Sequence, residues 1–335
     1  MISAKSLGLV PYDLKKDNGY LLSEQIRKGN IDQTIELTGG WYHAVTPVMD
    51  YGMEGLSLVG QGKCLWRRSG AFDSDSLGCS PAIWLYKGPN NTGAFELVGA
   101  GHYVKGVNIF RHWYVDGDSP WSKFDPNTGT RMDTAVAIKG GFNGSVASGK
   151  HLFEQFTIAG FDRTIHLPKS NHQDNMLFKE INTQQNRVTL HCENDQSSRI
   201  DFEGLWVAGR GEIIFDWEEG GNSACRSLKL NERRLIHRFG DPGPGANTGS
   251  YRISNFKADN NSKGWRLLEV MCPQTLKVVV EGHVGKICPP HNDWMNFYGD
   301  WSKSMKGLYI DIDLWPGNNV PAIELEGRVL WQPPV

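Results

Sequence analysis

The chain is predicted to be all-β, a parallel β-solenoid, and three observations predict it. Short strand-like runs recur along the last two-thirds of the sequence: QFTIAGF from Gln155, LFKEI from Leu177, RIDFEGLWV from Arg199, SLKLN from Ser227, YRISNF from Tyr251, LKVVVEG from Leu276 and LYIDIDLW from Leu308. Most successive starts lie 22 to 28 residues apart, with a last gap of 32, within the period of repeat architectures. Each run alternates apolar and polar residues, and Asn, Gly, Asp and Ser separate the runs. A single coil cannot bury its own inner face, so stacked coils must share one apolar core.

Composition agrees with a narrow core and many turns. Of 335 residues, 39% are hydrophobic, 39 are Gly and 12 are Trp. The net charge of −2 lacks the clustered basic excess of a nucleic-acid binder. The opening MISAKSLGLVPYDLKK lacks the apolar core of a secretory signal, and no run approaches the ~20 apolar residues of a membrane span. The expectation is a protein made in the cytoplasm, with no nucleic-acid partner and no membrane insertion. Cys64, Cys79, Cys192, Cys225, Cys272 and Cys288 form no CxxC or Cys/His zinc spacing. Cys192, Cys225 and Cys272 fall in or beside strand-like runs and fit an interior stack of small apolar residues.

Taken in order, LLSEQIRKGN (21–30) reads as a short amphipathic helix, with Leu21, Leu22 and Ile26 on one face and Gly29-Asn30 ending it. QTIELTGGWYHA (33–44) alternates as a strand, and EGLSLVGQG (54–62) leads into the next turn. A helix over one end of a solenoid protects strand edges that would otherwise recruit other chains. AIWLYKG (82–88), AFELVGAG (94–101), GVNIF (106–110) and TAVAIKG (134–140) are further strands, though the period blurs here. Residues 111–132 and 286–307 form two aromatic, turn-rich excursions, too rich in Trp and Tyr for plain disorder. LYIDIDLW and AIELEGRVLW, whose starts lie 14 residues apart, are too close for a full coil and predict a hairpin-like or irregular cap. The chain divides into 1–62 (cap and first coils), 63–285 (body) and 286–335 (C-terminal excursion and cap), as one continuous structural domain.

The helix, strand and GLSLVGQG step together resemble the N-terminal entry of right-handed parallel β-helix proteins of the pectin-lyase-like class, phage tailspikes and receptor-binding proteins among them. The acidic, Gly-rich stretch usual before the first helix is reduced here to KKDNG (15–19), and the expectation is that no separate virion-anchoring domain precedes the helix. The resemblance implies a right-handed β-helix in a bacteriophage virion: a tailspike or spike-like decoration, working as a homotrimer with other virion proteins and binding host surface polysaccharide. A polysaccharide lyase or glycoside hydrolase on the same scaffold is the alternative, and a purely structural virion component the second alternative, because this fold hosts many activities.

Acid/base cleavage of a sugar bond needs two carboxyl groups, about 6.5–9.5 Å apart for inversion. Residues i and i+2 of a strand lie on one face about 6.6–6.8 Å apart. Asp201 and Glu203 meet this mid-solenoid and are the first catalytic pair; Asp311 with Asp313 is the runner-up, and Glu324 with Glu326 repeats the pattern. The same residues also fit the wet outer face of an alternating strand. Trp206, Trp217, Trp113, Trp121, Trp294 and Trp301 are the candidate glycan-binding aromatics, since an aromatic face suits an amphipathic partner; core packing explains a tryptophan equally well. Asp216, Glu218 and Glu219 in FDWEEG offer oxygen ligands to a hard cation but also read as a solvated run. His151, His166 and His191 show no clustered metal spacing and read as hydrogen-bonded wall residues, so no metal and no cofactor are predicted. Nucleophile elbow, phosphate loop and dinucleotide fingerprint are missing from the sequence.

Overall fold

The computed structural model describes residues 1–60, 81–112, 134–139, 148–169, 173–193, 198–209, 211–218, 222–231, 234–240, 248–258, 266–271, 275–284, 295–297, 308–315, 323–325 and 328–331. It is a right-handed parallel β-helix with three walls. One coil runs along Leu152–Ala159 and then Arg163–Leu167; the next runs along Gln173–Gln184 and Val188–Cys192, and the next along Ser198–Ala208 and Ile213–Trp217. Each strand pairs in parallel with its equivalent one coil on.

The long strand of each coil is bent into two walls by a residue in the left-handed region. Gly106, Gln155, Glu180, Gly204, Ser227 and Asn255, with φ between 53° and 74°, occupy this corner on successive coils. In the third of these long strands, Phe202 is buried before the bend and Leu205 after it, while Glu203 and Gly204 face outward. A second left-handed ladder, Gly160, Gln185 and Gly209, turns the chain into the third wall. A third, Gly55, Gly101, Lys150, Asn175 and Arg199, returns it to the first. Stacked corners of this kind let a period-2 strand enclose a core on three sides.

The core is a set of parallel columns along the axis. Ile2, Ile35, Leu58, Val104, Phe153, Phe178, Phe202, Cys225, Ile253 and Val280 are successive Cα partners in one of them. Ile158, Ile181, Phe202, Leu228, Ile253 and Val278, the apolar members of the alternating runs, are all at most 1% exposed and lie in this column or in neighbouring ones. Cys192 and Cys225 are buried as expected; Cys64, Cys79, Cys272 and Cys288 lie outside the described residues.

The N-terminal half departs from the expected blur. Ile35–Leu37, Gly40–Ala44 and Val48–Met49 already make a full coil, and Ser57–Gly60, Ala82–Tyr86 and Gly93–Leu97 make the next. Tyr103–Lys105, Val107–Arg111 and Thr134–Ile138 follow as a third. The repeat persists, and segments inserted between walls stretch its spacing in sequence. QTIELTGGWYHA is two strands on two walls rather than one.

The cap helix is Asn18–Arg27, three residues earlier at its start than the apolar spacing predicts. Asp17 is the reason: its carboxylate accepts from the backbone N–H groups of Gly19 and Tyr20 at the helix start and of Val45 and Thr46 on the first coil. One side chain thus caps the helix and ties it to the solenoid. Gly19 is required here because a Cβ would overlap the carbonyl oxygen of Thr46. At the other end Leu308–Trp315 is a coil strand, parallel to Thr275–Val284. The hairpin lies within the following segment, where Ile323–Leu325 pairs antiparallel with Arg328–Trp331. No helix among the described residues is long and apolar enough to cross a membrane.

Candidate functional site

Three outer walls carry three different chemistries. On the first wall, Lys105, Glu154, Lys179, Glu203 and Arg226 stand in register on successive coils. Their signs alternate. Lys105 pairs with Glu154 at 2.9 Å, Arg226 with Glu203 at 2.8 Å and, farther along, Arg252 with Glu281 at 2.7 Å. Opposite charges on neighbouring strands contribute ~0.2–1 kcal/mol a pair. Asp201 and Glu203 both face outward from this wall, half-buried. Asp201 accepts the backbone N–H of Ala224 at 3.0 Å, and Glu203 is held by Arg226. Asp311 is exposed and accepts from the Tyr309 hydroxyl at 3.5 Å; the side chains of Asp313, Glu324 and Glu326 lie outside the described set.

On the second wall, Asn182, Trp206, Lys229 and Lys257 are successive partners. Trp206 is half-buried, with the Lys229 ammonium 4.8 Å from its ring centroid, and Lys229 and Lys257 are exposed.

Trp217 corrects the aromatic expectation. It is 0% exposed, packed on Tyr251 at 4.9 Å between centroids, and its Nε1 donates to His237 Nδ1 at 3.3 Å. In FDWEEG the alternation puts Phe215 and Trp217 inside and Asp216 outside, so Trp217 cannot meet a ligand on the wall. Trp113, Trp121, Trp294 and Trp301 lie outside the described residues.

The third wall assembles a cluster that local motifs do not show. His166, His191, Asp216, Arg238 and Glu269 are successive Cα partners on five strands, all facing outward. His191 is the centre. Its Nδ1 lies 3.0 Å from Asp216 Oδ2 and its Nε2 lies 2.9 Å from Glu193 Oε1 and 3.5 Å from Glu218 Oε1. His166 Nε2 lies 3.3 Å from the same Glu193 oxygen. Asp216, 1% exposed in its side chain, is gripped by Arg238 through Nε at 2.8 Å and Nη2 at 2.6 Å. Arg163 lies against His166, its Nη1 3.2 Å from Nε2.

The electrostatics follow from these contacts. Burial alone would lower the His191 pKa, but its hydrogen bonds to Asp216 and Glu193 outweigh that and raise it. Burial lowers His166 despite its bond to Glu193. Hydrogen bonds from both histidines hold Glu193 far below the usual carboxylate range. Burial pushes Asp216 up, yet its bonds to His191 and Arg238 carry it below its ordinary value.

Two donor sets on this wall converge as a metal would need, His166 with His191 and Glu193, and His191 with Asp216 and Glu218; within each, the ligating atoms lie within 4.8 Å of one another. The reading of Asp216 and Glu218 as oxygen ligands thus gains nitrogen partners, while Glu219 lies outside the described residues. Of the three histidines, His151 is not on a wall at all: it is 1% exposed in the core and stacks on His102 at 5.0 Å. The signal that would have found the cluster is the coil period itself, since His191 and Asp216 are 25 residues apart and His166 is one coil earlier in register.

Comparison with protein families, curated proteins and solved structures finds no match to this chain.

Proposed function

We propose that this chain is a bacteriophage virion surface protein, a tailspike or spike-like decoration, that binds host surface glycan along its β-helix walls as a homotrimer. The observation that carries this is the second wall, where the half-buried ring of Trp206 lies in register with the exposed Lys229 and Lys257. Equivalent positions recur every ~4.8 Å along the axis, which makes a straight track for an extended polymer. An aromatic surface suits the apolar face of a sugar ring, and the two ammonium groups suit a glycan bearing carboxylates. Attachment to other virion proteins and the homotrimer rest on the resemblance of the entry sequence to tailspikes.

The test is binding of the full-length protein to a panel of neutral and anionic bacterial polysaccharides, with light scattering for the trimer. Binding to an anionic glycan is expected, weakened at least tenfold, or ~1.4 kcal/mol, by Trp206→Ala and by Lys229→Gln. No binding across the panel, or binding indifferent to both changes, rejects the proposal and favours a purely structural virion component.

A cleaving enzyme is the second reading, favoured by one observation: Asp201 and Glu203 face the same way from one strand, where the strand rise sets i and i+2 about 6.6–6.8 Å apart, inside the range for an inverting pair. Their mutual placement suits an acid and a base flanking a bond, and the Trp206 ring begins the adjoining wall.

A further inference from the structure

We propose that His166, His191 and Glu193 form a three-ligand binding site for a zinc ion on the third wall, with water completing the shell. The inference does not rest on the glycan reading; it rests on how three coils bring these donors together.

The donor geometry suits the ion. Four ligands at 2.0–2.1 Å in a tetrahedron lie roughly 3.3 Å from one another by simple geometry. Glu193 Oε1 is 2.9 Å from His191 Nε2 and 3.3 Å from His166 Nε2, and the three ligating atoms all lie within 4.8 Å of one another. Small rotations of these side chains open the centre of the cluster to an ion.

The surroundings of His191 are those of a metal ligand. A ligating imidazole characteristically gives its second ring nitrogen to a carboxylate, which fixes the tautomer and aims the other lone pair. His191 Nδ1 meets Asp216, which is itself buried and clamped by two hydrogen bonds from Arg238. That leaves Nε2 pointing at Glu193 and Glu218. Both imidazoles sit on rigid elements: His166 is in Arg163–Leu167, His191 in Val188–Cys192, directly followed by Glu193, and the supporting Asp216 is in Ile213–Trp217, three adjacent strands of one sheet.

Charge is consistent with a divalent cation. Glu193, Asp216 and Glu218 supply three carboxylates against the guanidinium groups of Arg163 and Arg238. Two imidazoles with carboxylate select zinc over magnesium or calcium, which prefer all-oxygen sites. His191 is buried and His166 is half-buried, while Glu193 is partly exposed, so one side of the cluster is open to solvent, where water completes the shell.

The experiment is calorimetric titration of the chelator-stripped full-length protein with Zn2+, Mg2+ and Ca2+ separately, with anomalous scattering at the zinc edge on crystals grown with Zn2+. The expected result is one Zn2+ per chain at micromolar Kd or tighter, weak or no binding of the other two ions, and an anomalous peak between His166 and His191. Glu193→Gln, which keeps the shape, is expected to weaken Zn2+ binding at least tenfold, and Asp216→Asn, acting through His191, ~10–100-fold. Glu281→Gln on the first wall, which removes only the pair with Arg252, is the control and is expected to leave Zn2+ binding unchanged. If Asp216→Asn fails to fold, as circular dichroism would show, Glu193→Gln and the anomalous map still decide. Binding weaker than about 100 μM, binding indifferent to Glu193→Gln, or an anomalous peak elsewhere overturns the site.

Discussion

Phe202 lies directly over Phe178 of the preceding coil, ring centroids 5.1 Å apart and planes 20° from parallel. Phe178 lies in the same way on Phe153, again at 5.1 Å. The three rings are at most 1% exposed and fill one interior column where Val104 precedes them and Cys225 follows. Stacking of this kind adds ~0.5–1.5 kcal/mol a pair beyond the area buried, and it also fixes the register of one coil on the next.

Phe202→Ala should therefore cost ~3–5 kcal/mol in urea denaturation. The loss should be felt across its neighbours, because a solenoid is held by nearest-neighbour coil interfaces. A loss below about 1 kcal/mol would show that the ring is not packed in the column.

Glycines of the long strands should divide into tolerant and intolerant positions. Gly204 has φ 74° and the nearest atom to an added Cβ is Glu180 Cα at 3.7 Å, so Gly204→Ala meets only backbone strain, ~1–2 kcal/mol. Equivalent corners already carry Gln155, Glu180, Ser227 and Asn255. At Gly282 an added Cβ would overlap the backbone of Phe256 on the preceding coil. Gly282→Ala should cost at least about 3 kcal/mol, the upper end for overpacking. Equal effects in thermal or urea unfolding would contradict this account of the long strands.

Much of this architecture is legible in the sequence, because it is written in short-range alternation. Ile158, Phe202 and Val278 fall inside simply because each is an apolar member of an alternating run. The earlier coils are harder to see: Val104 is one coil from Leu58 and Phe153 one coil from Val104, yet inserted residues nearly double the spacing. Outer-wall burial also confuses the pattern, since Ile83, Leu85, Phe110 and Ala159 form a second apolar cluster apart from the main core. Asp201 and Glu203 are correctly placed outside by alternation, and the same rule applied to Phe215-Asp216-Trp217 would have put Trp217 inside. The third-wall cluster is illegible locally. His166, His191 and Asp216 meet only after the coil period is imposed, and no short motif encodes that.

Two core histidines should make the protein acid-labile. Burial, with the nearby His102 charge adding to it, pushes His151 down to about 3, and burial pushes His237 down to about 3. His237 stacks between Phe215 and Phe239. For both, the folded value lies below the unfolded value of ~6.5, so protonation favours unfolding. Their contribution is intact above pH ~6.5 and is lost as pH falls from there toward 3. With two groups the slope approaches ~2.7 kcal/mol per pH unit well below pH 6.5, which gives ~3 kcal/mol between pH 6.5 and 5. Asp17 and Asp50, held below their ordinary values by hydrogen bonds that outweigh burial, add to the loss only below pH ~4. Urea midpoints measured from pH 8 to 4 should fall accordingly. His237→Leu lowers stability at neutral pH by leaving the Trp217 N–H unpaired, ~1–3 kcal/mol, but should roughly halve the slope between pH 6.5 and 5. An unchanged slope would mean that His237 is not buried in its neutral form.

The carboxylate pair yields a prediction that separates cleavage from binding. Asp201 holds the Ala224 N–H and Glu203 holds Arg226, so each has a structural partner whether or not it has a chemical role. Asp201→Asn with Glu203→Gln preserves shape and removes both titratable groups. Its structural cost should be small, because the Glu203–Arg226 pair is largely exposed and surface pairs contribute ~0–1 kcal/mol. An amide oxygen can still accept from Ala224. A loss of function in the double variant would therefore report chemistry rather than unfolding. If the wall cleaves glycan by inversion, product release should disappear in the double variant while glycan binding persists, because one group protonates the leaving oxygen and the other activates water. Reducing-end release from a polysaccharide that the unmodified protein cleaves is the measurement. Undiminished release would remove this pair from the chemistry and make Asp311 with Asp313 the next to change. If that pair also proves silent, cleavage does not come from i, i+2 carboxylates on the first wall, and the third-wall cluster around His191 becomes the place to look.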